Sequence, residues 1–113
     1  MKAVNSTSNQ ELACKLSVAG SIPQRMIGLL GRKSLACDEG LWIKHCKGIH
    51  TFGMKFLIDV VFLSIEYAVI GVRQDVQPNR ITGVYARAAS VLELPAGKVR
   101  ETATKTGDTI TFL

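Results

Sequence analysis

Leu12, Cys14, Leu16 and Val18 alternate with Ala13, Lys15 and Ser17, the period of two expected of a half-buried strand, and Gly20 ends the run. Ser21-Ile22-Pro23-Gln24 then carries the marks of a helix start: a serine cap, a proline in the first turn, and a glutamine three residues after the serine. Ile22, Met26, Leu29 and Leu30 fall on one helical face and Gly31 suits the stop, so the pattern predicts one short helix over Pro23 to Leu30. Leu41-Trp42-Ile43 reads as a short strand. Phe56 to Leu63 is the strongest strand by its β-branched and aromatic content, with Ala68 to Val76 as its hairpin partner across Ser64 to Tyr67. Ser90 to Leu94, stopped by Pro95-Ala96-Gly97, and Thr109 to Leu113 complete the set, with a helical turn between Lys98 and Lys105. Five or six short strands and one short helix predict a mainly β domain, a compact sandwich or barrel.

With 113 residues the chain is one domain by length, expected to run over 11–113 behind a mobile polar lead-in at 1–10. Apolar residues at 47% and charged residues at 20% are a globular balance and leave no case for disorder. The longest apolar stretch, Phe56 to Ile65, is broken by Asp59 and Ser64, so no membrane partner is expected. The N-terminus has no apolar segment of signal-peptide type, and the odd count of cysteines (Cys14, Cys37, Cys46) points to free thiols, so the expected location is cytoplasmic. The net charge of +5 is scattered along the chain without a basic block. A solvated surface accounts for it, and nucleic acid is not an expected partner in the absence of any nucleic-acid-binding motif.

Several stretches taken together resemble a known family. Pro23-Gln24-Arg25-Met26-Ile27-Gly28-Leu29-Leu30-Gly31-Arg32 is similar to its "ER-x-x-GLM-x-R" opening, and Glu39-Gly40-Leu41-Trp42-Ile43 to its "GLLF" segment. The stretch from Ile49 through His50-Thr51-Phe52-Gly53-Met54-Lys55 to Ile58-Asp59 and Leu63 resembles its signature "HT-x-GM-[RK]-x-x-ID-x-x-F". Val91-Leu92-Glu93-Leu94-Pro95-Ala96-Gly97 and Gly107-Asp108 match its closing "VLELPAG" and "GD". The family is the domain of unknown function 192. The resemblance implies a jelly-roll-like mainly β domain and supplies no activity. Gln24 stands where the family usually has an acidic residue, and the hairpin turn lacks the family's Asp-Gly.

Asp59 is the most informative candidate, a carboxylate among apolar neighbours. On a strand it shares a face with Lys55, Leu57, Val61 and Leu63, while Phe56, Ile58, Val60 and Phe62 form an apolar face. A buried unpaired carboxylate costs several kcal/mol. A fold-locking pair with Arg25 or Arg32 is therefore expected, with a ligand-contacting carboxylate or a solvent-facing one as alternatives. Glu93 repeats the situation within Val91-Leu92-Glu93-Leu94-Pro95 and is expected to cap backbone N–H groups or meet an arginine. His50 reads as a loop histidine bonded to backbone, or as a ligand contact. His45, Cys46 and His50, with Cys37 upstream, are zinc-ligand types without a Cys-x2-Cys pair, so neither metal nor cofactor is expected. Cys46 among Lys44, His45 and Lys47 lacks a third orienting group, and Trp42 and Phe52 are expected to pack in the core.

No sequence motif assigns a reaction. The reading that follows is a binding module for a small anionic ligand, with His50, Thr51, Met54, Lys55, Asp59, Glu93, Arg25 and Arg32 as candidate contacts. Two alternatives stand beside it: a small acid–base enzyme using Asp59, Glu93 and His50, and a structural or partner-binding domain.

Overall fold

Among the described residues the alternating segments become eight strands and a short helix near the C-terminus: β1 (Ala3–Asn5), β2 (Gln10–Ala13), β3 (Lys15–Ala19), β4 (Glu39–Lys44), β5 (Ile58–Leu63), β6 (Val69–Val76), β7 (Ser90–Pro95), α1 (Lys98–Glu101) and β8 (Ile110–Phe112). The computed structural model describes residues 1–21, 24, 29 and 31–113. The helix expected over Pro23 to Leu30 lies outside the described residues, Gln24 and Leu29 apart. The strands form two open sheets, one ordered β2-β1-β8 and the other β3-β4-β7-β5-β6. Pairing is antiparallel except between β3 and β4, which run parallel. A mainly β domain is what the alternation predicted, as two sheets and not a closed barrel.

Two expectations about the strands need correction. The single strand read over Leu12 to Val18 is two strands in different sheets. The chain changes sheet at Cys14, where the N–H groups of Cys14 and Lys15 both donate to the Asp38 carbonyl at 3.0 and 2.9 Å. Part of the stretch expected as a lead-in is strand: Ala3–Asn5 form the middle of the three-stranded sheet, with Ala3 and Asn5 fully buried. Asn5 tolerates that burial because its side chain is fully bonded. Its Nδ2 donates to Asp108 Oδ2 at 2.9 Å and to Thr104 Oγ1 at 3.1 Å, and its Oδ1 accepts from the N–H groups of Thr7 and Ser8. The bond from Asn5, with another from the Lys105 N–H, holds the Asp108 carboxyl below its usual range.

The hairpin between β5 and β6 forms without glycine or asparagine. Tyr67 adopts φ 66°, and Ser64 Oγ accepts from the N–H groups of Glu66 and Ala68 at 3.3 and 3.1 Å. All six β5 residues are buried, because the strand lies inside the larger sheet with a core on each side. Ile58, Val60 and Phe62 pack with Ile43, Met54 and Val91 on one face. Val61 and Leu63 pack on the other with Trp42, Leu92 and Leu94 against Ala3, Leu12 and Ile110 of the smaller sheet. Trp42 is in the core as expected, stacked on Phe112 with ring centroids 3.8 Å apart and met edge-on by Tyr67 at 5.7 Å.

Asp59 is fully buried on the second of these faces, and no arginine among the described residues holds it. Its Oδ1 accepts from the Asp75 N–H at 2.9 Å, and its Oδ2 accepts from the N–H groups of Gly97 at 3.1 Å and Val99 at 2.9 Å. Arg32 bonds Glu39 instead, at 2.9 Å, and Arg25 lies outside the described residues. The backbone supplies what the arginine was expected to supply. β6 carries an irregularity opposite Asp59, where Asp75 takes φ 52°, and Gly97 takes φ 94° ahead of α1. Hydrogen bonds to a charged acceptor are worth about 1.5–3 kcal/mol each. Asp59→Asn places an amide donor against these N–H groups and should destabilise the fold by about 3 kcal/mol in urea unfolding. A loss under ~0.5 kcal/mol, the range of an ordinary surface substitution, would refute this account.

Candidate functional site

Two stretches without a single acidic residue, 44–57 and 77–90, come together as one lobe at the end of the larger sheet. Thr51 is the main stitch. Its buried Oγ1 donates to the Gln77 carbonyl at 2.6 Å and accepts from the Arg80 N–H at 2.9 Å, while its own N–H donates to the Arg80 carbonyl. Thr82 completes the seam, exchanging hydrogen bonds with Ile49, and Lys47 Nζ donates to the carbonyls of Ala86 and Ala88. The two loops approach so closely at Gly48 that a Cβ there would collide with the Gly83 carbonyl. Tyr85 anchors the lobe to the sheet, stacked on Phe62 at 3.8 Å over the bare backbone of Gly71.

The electrostatic consequence is large. Lys44, Lys47, Lys55, Arg80 and Arg87 make the lobe +5, which is the net charge of the whole chain, and the remaining basic and acidic residues balance. Sequence reading missed this because each stretch alone looks like a scatter of cations. The signal available was the absence of Asp and Glu from both.

Among the described residues, which leave out Arg25, the predicted contacts do not converge on one site. His50 and Lys55 are exposed on the lobe, and the His50 ring lies on Phe52 with its Nδ1 accepting from the Phe52 N–H at 3.3 Å. Thr51 and Asp59 are committed to backbone, Met54 is core, and Arg32 is paired to Glu39. Asp59 and Glu93 lie on opposite faces of the sheet, since Asp59 is in register with Leu94 and Glu93 with Val60. They form no acid–base pair. Cys46 Sγ donates to the Gly48 carbonyl, the three cysteines are unbridged, and among the described residues no three His, Cys, Asp or Glu gather as a metal site. No helix among those residues is long and apolar enough to cross a membrane.

A pocket of about 270 Å³ opens at the base of the lobe, lined by Trp42, Lys44, His45, Ile65, Tyr67, Ala89 and Ser90. Strand register creates it. Lys44 and Leu63 both pair with Ser90 across β7, so the Lys44 and Ser90 side chains share the face of Trp42. β4 ends at Lys44, and His45 turns the chain away with φ 54°. Trp42 Nε1 and Ser90 Oγ are both buried and have no protein partner. Lys44 Nζ stands 4.9 Å from the centre of the Trp42 ring. No carboxylate lines this pocket, and Glu66, between two lining residues, is exposed outside it.

Glu93 is neither a cap nor an ion pair through its Oε2, which is buried without a partner beside Leu41 and Val60. Burial pushes its carboxyl from an ordinary value of 4.5 up to about 7. The folded chain therefore keeps a proton between those values that the unfolded chain has released. Stability should fall as pH rises through that window and level off above it, by roughly 3 kcal/mol in total. Glu93→Gln removes the titration. Urea unfolding should show the variant more stable than wild type at pH 8 and similar near pH 4, and two parallel pH curves would refute the assignment.

The fold is shared with solved structures. A protein of unknown function from Novosphingobium aromaticivorans superposes with a TM-score of 0.87 at 18% identity, covering 99% of this chain and 84% of the other. A Sinorhizobium meliloti protein described as a "putative transcription regulator" superposes with a TM-score of 0.80 at 20% identity, covering 97% and 89% of the two chains. At these identities the likeness is one of fold alone. No curated protein matches the chain. Residues 3–112 match the family described as Uncharacterized ACR, DUF192, and the ordered motifs already pointed there. The chain belongs to the DUF192 family.

Proposed function

We propose that this protein is a binding module for a small anionic ligand, seated in the Trp42–Ser90 pocket at the base of the basic lobe. The observation that carries this reading is the pair of orphaned polar atoms, Trp42 Nε1 and Ser90 Oγ, in residues that line one pocket beside Lys44. A buried polar group left unbonded costs about 1–3 kcal/mol, and native proteins carry few of them. Two in one pocket fit a site that is completed by a ligand. The acid-free lobe sets the sign of that ligand, because its field concentrates anions at the pocket mouth.

The acid–base alternative loses its geometric basis with Asp59 and Glu93 on opposite faces. A second reading, an acidic protein partner docking on the lobe, is favoured by Phe52, Ile81 and Val84, which are 48%, 65% and 79% exposed around a shallow groove.

Thermal shift with acetate, inorganic phosphate and neutral acetamide tests the proposal at low and high salt. The anions should raise the melting temperature by mass action, less so at high salt, and Lys44→Glu should abolish the response. An equal response to acetamide, or an undiminished one from Lys44→Glu, refutes the anion reading.

A further inference from the structure

The same pocket narrows the ligand to one chemical class. This step rests on the reading of the chain as an anion-binding module. We infer that the Trp42–Ser90 pocket takes a small monocarboxylate carrying an apolar body, with the carboxylate between Trp42 Nε1, Ser90 Oγ and Lys44 Nζ and the body against Ile65, Tyr67 and Ala89.

Size comes first. A volume of about 270 Å³ is that of a small-molecule site. It falls below the range of about 300–1,000 Å³ typical of drug-sized ligands.

Charge comes next. The indole N–H is a donor and nothing else, the serine hydroxyl donates or accepts, and the ammonium is a point charge. The lining holds one lysine, no arginine fork and no glycine-rich run of backbone N–H groups. Phosphate sites are built from such forks and nests. A single negative charge with two acceptor oxygens fits this donor set, because one oxygen can meet the two neutral donors and the other the ammonium.

The apolar part follows from the remaining wall. Ile65 is 80% exposed and Tyr67 is 40% exposed, an unusual placement for large apolar side chains at a hairpin turn. Both line the pocket, and the Tyr67 ring stands edge-on to Trp42. A bare carboxylate such as acetate would leave these surfaces wet, while a ring or short alkyl chain would cover them.

Trp42 is the single tryptophan of the chain, so its fluorescence reports this pocket alone. The experiment titrates the protein with benzoate, acetate, inorganic phosphate and benzamide. Benzoate should change the emission saturably and bind at least tenfold tighter than each of the other three. Ser90→Ala should weaken benzoate at least fivefold while the ligand-free protein melts no lower than wild type, since the lost hydroxyl had no partner in the fold. Calorimetry on Trp42→Phe gives the corresponding loss for the indole N–H, with Ser90→Ala as the control if that variant does not fold. Tighter binding of phosphate than benzoate would overturn the monocarboxylate class and leave the anion-binding module standing. Equal binding of benzamide and benzoate would overturn the charge assignment. No response to any of the four would overturn both.

Discussion

A fully buried carboxylate survives in this core because three backbone N–H groups are aimed at it. Asp59 holds the irregular turn of β6 at Asp75 with one oxygen, and Gly97 and Val99 at the start of α1 with the other. The Val99 N–H would otherwise be a buried donor with no partner, at a cost of about 1–3 kcal/mol, and the other two bonds are half-buried. The charge and the donors each remove the other's desolvation penalty. That reciprocity fixes three segments far apart in sequence, with contacts 16, 38 and 40 residues away from Asp59. The run of β5 between β6 and β7 is set by this arrangement, and the lobe is built on the loops that leave those strands.

The lobe follows the same logic with neutral groups. Thr51 and Thr82 are buried side chains that bond to the opposite loop, so two irregular segments are joined without a strand ladder. Their seam gathers five cations from two stretches that contain no acidic residue. Such a surface costs some self-repulsion, and folding does not require it. It is a feature that a ligand or partner explains better than stability does.

Trp42 and Ser90 contrast with Asp59 and Thr51. The Asp59 carboxylate and the Thr51 hydroxyl have found partners, whereas Trp42 Nε1 on β4 and Ser90 Oγ on β7 have none. A chain able to satisfy a buried carboxylate three times over has left two neutral donors unmet in one pocket. Glu93 Oε2 and Ser8 Oγ are also buried without partners, but Trp42 and Ser90 are the two of the four that line a common pocket, and local departures from satisfied bonding are where function is expected to sit.

By itself the sequence determined the strand inventory from β4 onward, the face assignments of β5, the burial of Trp42 and the family. Period-two alternation and ordered motifs are local signals, and they need no knowledge of what packs where. It also marked Asp59 as a residue in need of partners, since that follows from a carboxylate among apolar neighbours. It could not say which partners, because backbone N–H groups carry no sequence signature, and the expected arginine was the chemically plausible substitute. Nor could it split Leu12 to Val18 between two sheets or place Ala3 to Asn5 inside one, since both depend on contacts with Asp38 and Asp108 far along the chain. The basic lobe and the Trp42 pocket were decided by tertiary structure alone. Strand register brings Lys44 and Ser90 to one face, and two threonines join two acid-free loops whose charges are unremarkable until they share a surface.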